Sequence, residues 1–131
     1  MTDIGGDAIG KLILRITLGV LVLLHGLAKV TGGVGGIASM LQGIGLPSML
    51  ALGVYLGEVL GPILLIIGWY ARIGAGLIVI NMLFAIALVH TGDIFSRTPQ
   101  GGWALELQGM FLFTALALVF TGPGRLSINR R

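Results

Sequence analysis

The sequence predicts an all-α integral membrane protein, an antiparallel four-transmembrane-helix bundle. Three observations carry that expectation. Hydrophobic residues make up 56% of the 131 residues and charged residues only 10%, with a mean hydropathy of +1.03, whereas soluble domains carry about 25% charged residues. The apolar residues gather into four runs of about the 20 residues that span a bilayer at 1.5 Å each. The 23 glycines suit membrane helices, where small residues let backbones approach closely. Length argues for one domain covering residues 1–131, with spans over about 8–30, 47–70, 72–90 and 103–121.

Composition also excludes several chemistries. The net charge is +3, but the basic residues stand singly, so the chain presents no nucleic-acid face. No cysteine is present, which removes disulfides, thiolate nucleophiles, iron–sulfur ligation and CxxC chemistry. Asp3, Asp7 and Arg15 interrupt the N-terminal apolar run, so the first helix is expected to be retained rather than cleaved as a signal peptide.

In chain order, Asp7 is placed to start the first helix, four residues before Lys11. At 100° per residue, Arg15, Gly19, Val22, Gly26 and Lys29 share one small and polar stripe that should face protein, with His25 at its edge. Thr31–Leu46 is Gly-rich. Without a preceding strand or following Lys it is no phosphate loop, and Ile37–Ile44 has the spacing of an apolar helix lying on the membrane surface. Leu46-Pro47 turns the chain back. In the second span Gly53, Gly57 and Gly61 recur every fourth residue as a packing groove. Pro62 cannot donate to the Glu58 carbonyl, which predicts a kink there. Tyr70-Ala71-Arg72 leaves room only for a tight hairpin into a third span centred on Asn81. Thr91–Gly102 is a polar loop, the fourth span begins at Trp103, and Gly122-Pro123-Gly124 ends it before a basic tail.

Four spans place both termini on one side. That side holds Lys11, Arg15, Arg72, Arg125, Arg130 and Arg131, against Lys29 and Arg97 on the other, so the expected orientation has both termini cytoplasmic. Trp69, Tyr70 and Trp103 read as interfacial aromatics. Arg130-Arg131 reads as a topology and lipid-contact signal.

Depth along the helices then sorts the polar residues into two candidate sites. Arg15, Glu58 and Asn81 fall near the midplane, where an Arg–Glu pair would offset the cost of burying either charge. His25, Lys29, Glu106 and His90, with Asp93 nearby, fall near the outer mouth. His90 lies 180° around its helix from Asn81, so only one of the two faces the bundle core. That geometry disfavours a haem held by His25 and His90, and no metal-ligand spacing is present although His and Glu would suit a transition metal.

At this point the residues resemble a known family. Arg15…Gly19…His25-Gly26…Lys29, Gly45-Leu46-Pro47, Glu58-Val-Leu-Gly61 with Gly68 and Arg72, Met82 with His90, and Gly122-Pro123-Gly124-Arg125-Leu-Ser127 are similar, in order and spacing, to the DoxX family of small bacterial membrane proteins. Asn129 departs from the acidic residue expected after Gly-Pro-Gly-Arg. The resemblance implies a four-helix, multi-pass protein of the bacterial cytoplasmic (inner) membrane. The family takes its name from a relative of a subunit of a quinone-reactive, sulfur-oxidising membrane complex. Other members are linked to redox-stress complexes and metal-related gene clusters. No general catalytic residue set comes with the family, and none is carried over.

Three functional readings follow. In the first, the chain is an accessory subunit that works with a membrane redox partner protein and binds a quinone. In the second it is a small transporter or channel, as a homo-oligomer because four helices barely enclose a pathway. In the third it is an assembly protein whose glycine grooves dock partner helices. Apart from these, an Arg15–Glu58 ion pair has a purely structural reading, that of fixing helix register. Nothing in the residues names a reaction.

Overall fold

The computed structural model describes residues 5–33, 35–89 and 95–129. The described residues are all-helical: five α-helices and no strand beyond an isolated bridge between Arg97 and Trp103. Helix α1 covers Gly6–Gly32, about 40 Å at 1.5 Å per residue and so longer than a hydrocarbon core. Its buried face is Ala8, Arg15, Leu18, Gly19, Val22 and Gly26, the stripe that the spacing predicts. Ile13 and Leu24 stand exposed on the opposite side. Asp7 pairs with Lys11 at 2.8 Å, an exposed i,i+4 contact of a few tenths of a kcal/mol. The short helix α2, Gly35–Gly43, docks through the fully buried Leu41.

The second span is not one continuous helix to Tyr70. Ser48–Gly53 is a 3-10 turn, Leu56–Leu60 is a π-turn, and the regular helix α3 runs only from Gly61 to Ile67. The reason is Pro62. It has no N–H for the Glu58 carbonyl, and the ladder slips by one residue so that the Gly61 N–H donates to Leu56 O. The anticipated kink is thus a π-turn around Glu58. At the far end Gly68 takes φ 71° and ψ 33°, its N–H donates to Leu65 O (3.2 Å), and the Trp69 N–H donates to Leu64 O (3.1 Å). This is a Schellman stop, and it ends the helix three residues early.

Helix α4, Ala71–Val89, follows directly and packs against α3 on one side and α5, Glu106–Thr121, on the other. Helix α5 starts three residues later than anticipated. Trp103 pairs with Arg97 in the preceding turn, and the Glu106 carboxylate reaches back to accept its N–H at 3.0 Å, which holds residues 103–105 in the loop ahead of the helix. One core joins the four long segments: Leu18 and Val22 of α1, Leu65 of α3, Ala75, Ile78 and Met82 of α4, and Phe111, Ala115 and Leu118 of α5.

Glycine sets how closely these segments meet. A Cβ on Gly26 would run into the Glu58 carbonyl, and one on Gly19 would lie 3.1 Å from Pro62 O. Helix α1 therefore rests on the backbone around the π-turn. Gly61 and Gly74 seat each other's carbonyls, and Gly57 receives Asn81. Gly53, the third member of the anticipated groove, has nothing within 4 Å of a Cβ; the groove is filled at two positions and open at the third.

Large apolar side chains such as Leu24, Ile80, Met110, Phe113 and Phe120 stand outward, far more than a water-facing surface tolerates. Two segments, Gly6–Gly32 and Ser48–Ile67, are long and apolar enough to cross a bilayer. After α5, Gly122 (φ 74°) and Gly124 (φ 80°) fold the tail back. There the Asn129 N–H donates to Gly68 O (3.2 Å), and Asn129 Oδ1 accepts the Tyr70 N–H (2.9 Å).

This packing gives a stability prediction. Gly26→Ala should destabilise the protein by about 1–3 kcal/mol through overpacking, whereas Gly10→Ala, with nothing within 4 Å of its Cβ, should be neutral or stabilising. Thermal unfolding in detergent compares the two, and equal midpoints would refute the close approach.

Candidate functional site

Glu58 is the residue on which three elements converge. The π-turn carries it, α1 supplies Lys29, and α4 supplies Asn81. Lys29 Nζ lies 2.5 Å from Glu58 Oε1, and Asn81 Nδ2 donates to Glu58 Oε2 at 2.9 Å. Glu58 is 5% exposed and Asn81 8%. Both carboxylate oxygens are therefore engaged, one by a cation and one by an amide. A buried carboxylate is tolerated only with such partners, because desolvation alone costs several kcal/mol. The geometry follows from local sequence. Gly26 seats α1 on the Glu58 carbonyl, and Lys29, three residues and nearly one turn on, is carried to the carboxylate. Tyr55 OH donates to the Lys29 carbonyl at 3.2 Å and ties the end of α1 to the same segment.

The cluster forms one wall of a chamber of about 200 Å³. Its polar lining is His25, Lys29, Glu58, Asn81 and Gln108, and Val22, Met82 and Phe111 are among its apolar walls. The His25 ring meets Phe111 edge-on, with centroids 5.7 Å apart and planes at 75°. An apolar cavity of about 150 Å³ already accommodates benzene, so this one has room for a single ring. Lys29 carries three N–H donors and is only partly buried (30% of its side chain exposed). The chamber thus offers donors and a compensated charge inside apolar walls.

Several expectations change here. Arg15 and Glu58 do not pair. The Gly26 contact puts Glu58 level with residue 26, eleven residues or about 16 Å along α1 from Arg15. No side chain covers that distance. Depth counted from each helix end misplaced them, because contacts between helices, not helix ends, set the register. Arg15 is instead 1% exposed under the tail, where its Nη2 donates to Leu126 O at 2.7 Å; Nε and Nη1 have no hydrogen-bond partner. Glu58 and Asn81 leave the supposed midplane group and lie with His25 and Lys29. Glu106 does not join them, since its carboxylate turns back to accept the Trp103 N–H ahead of α5. His90 and Asp93 lie outside the described residues. Gln108 enters the chamber without having been assigned to a site; its signal was a lone amide in an apolar helix three residues before Phe111. Among the described residues, no group of three or more His, Asp or Glu is placed to hold a metal.

Comparison with known proteins supplies the lineage. The sequence profile of the DoxX family matches residues 10–91, a stretch that contains Lys29, Glu58 and Asn81. An uncharacterized protein of Haemophilus influenzae is 31% identical over 128 residues, covering 90% of this chain and 87% of its own. A Bacillus subtilis protein named "Putative oxidoreductase CatD" is 32% identical over 124 residues, covering 92% and 85%. An Escherichia coli protein named "Inner membrane protein YphA" is 29% identical over 127 residues, covering 92% and 88%. No solved structure matches the chain. With a profile match across most of its length and relatives aligned nearly end to end, the chain belongs to the DoxX family of membrane proteins.

Proposed function

We propose that the chain is an accessory subunit of a membrane redox system that binds a quinone head group in the chamber beside Glu58. The observation that carries this reading is the Lys29–Glu58–Asn81 cluster, held inside apolar walls with room for one ring. Lys29, His25 and Gln108 can donate to ring oxygens, and Val22, Met82 and Phe111 would face the ring itself. The B. subtilis relative's name supports a redox-associated role. Without cysteine, the chain lacks the thiolate ligands of an iron–sulfur centre. A partner protein is therefore assigned the electron transfer.

In this reading all four long segments cross the bacterial cytoplasmic membrane as an antiparallel bundle, with both termini in the cytoplasm. The six-to-two distribution of Lys and Arg supports the orientation. The cysteine-free sequence makes the test direct. A single cysteine at Thr98 should react with an impermeant maleimide added to intact spheroplasts, and one at Ser127 only after lysis. The reverse pattern would overturn the orientation.

The binding reading is tested by purifying the protein with native lipid and extracting it for mass spectrometry. Quinone should be enriched over bulk lipid, and Lys29→Met should reduce retention about tenfold, as expected for loss of a charge-assisted donor to a ring oxygen. An extract with no quinone enrichment would refute the reading. A separate cycle tests the pair. Lys29→Met alone, which leaves Glu58 uncompensated, should cost about 3 kcal/mol, and adding Glu58→Gln should recover part of it.

A further inference from the structure

A second cavity of about 230 Å³ adjoins the first, and Ile37, Val54, Asn81 and Phe84 line both. The two differ in chemistry. The first gathers the charged and amide groups. The second is walled by aliphatic side chains, among them Leu41, Leu50, Leu77 and Ile80, with Asn81 as its only polar lining residue. It also includes the glycine position that packing leaves open: Gly53 lines it, with nothing within 4 Å of a Cβ. Helix α2 borders both cavities through Ile37 and closes the second with the buried Leu41.

We propose that the two cavities form one bipartite site for a single-tailed amphiphile, with the polar ring against Lys29–Glu58–Asn81 and the first carbons of the tail along the open glycine groove at Gly53. The proposal rests on the reading that a ring occupies the first cavity and adds where its tail goes. A tail gains little free energy by leaving lipid for an equally apolar groove. The groove therefore selects ligands by shape rather than by hydrophobic attraction. It discriminates ring compounds that carry a linear tail from polar solutes and ions, for which an aliphatic extension has no use. A bilayer acyl chain is the competing occupant.

The experiment uses the full-length protein in nanodiscs and two probes, a benzoquinone bearing a decyl chain and the same ring with a methyl group in its place. Gly53→Leu adds bulk at the groove, at a position where a Cβ meets nothing within 4 Å. Leu50→Trp fills it from the rim, and Leu14→Trp, at an exposed position on α1, is the control. Gly53→Leu and Leu50→Trp should each weaken the decyl probe about tenfold while leaving the ring probe within about twofold, the effect of filling an occupied space; Leu14→Trp should change neither. If the groove variants leave decyl binding unchanged, the tail runs elsewhere and a lipid chain fills the groove. Equal weakening of both probes would overturn the proposal as well. If wild type binds neither probe, the ring reading falls first and takes the tail site with it. Binding of the ring with no effect at Gly53 removes the tail site alone.

Discussion

Much of this structure depends on one missing hydrogen-bond donor. Residue 62 is proline, so the Glu58 carbonyl has no amide one turn ahead of it. The helix accommodates this with a π-turn over Leu56–Leu60, and the exposed carbonyl becomes the surface on which α1 sits. Only glycine permits that approach. At Gly26 any Cβ would occupy the position of the Glu58 oxygen, and Gly19 repeats the arrangement at the Pro62 carbonyl. Removing a donor from one helix thereby sets the register of its neighbour.

The charge cluster is a consequence of that register. With Gly26 on the Glu58 carbonyl, Lys29 reaches one carboxylate oxygen. With Gly57 against Asn81, the amide reaches the other. Two backbone contacts and two side-chain contacts thus converge on a five-residue turn, and the cost of burying the carboxylate is met by groups that close packing has already delivered. π-turns recur at functional sites because they aim a side chain away from the regular helical spiral, and here the aimed side chain is the buried acid. The glycine repeat serves both ends of this arrangement. Gly57 and Gly61 are consumed by α4, while Gly53 stays open and lends its space to the cavity beside the cluster.

The opposite end of the molecule follows a different logic. Arg15 is only 1% exposed, yet its hydrogen bond is to a tail carbonyl, that of Leu126. The tail reaches it because Gly122 and Gly124 adopt left-handed conformations, and Asn129 then closes on Gly68 and Tyr70. The position where an acidic residue was anticipated is filled by Asn129, whose backbone N–H donates to Gly68 O while its side-chain oxygen accepts the Tyr70 N–H. Arg15 and Glu58 therefore hold separate ends of α1.

Local chemistry was legible in the residues. Apolar run lengths, the small stripe of α1, the hairpin at Tyr70-Ala71 and the disturbance at Glu58 and Pro62 are properties of neighbours along the chain. Period and hydrogen-bonding capacity report them directly. The helix stop at Ile67 and the start at Glu106 were less so, since a Schellman turn and the Trp103–Glu106 contact depend on how the adjoining loop folds. The partner of Glu58 was not legible at all. Sequence alone offered Arg15, Lys29 and Asn81 as groups that needed company. The choice among them is a question of how far one helix slides along another, and a slide of a few residues changes the pairing without changing any helix. The amino-acid sequence by itself determined which segments are apolar helices and where one of them must break. Only the tertiary structure decided that Lys29, and not Arg15, answers Glu58, because that depends on contacts between backbones that no single helix encodes.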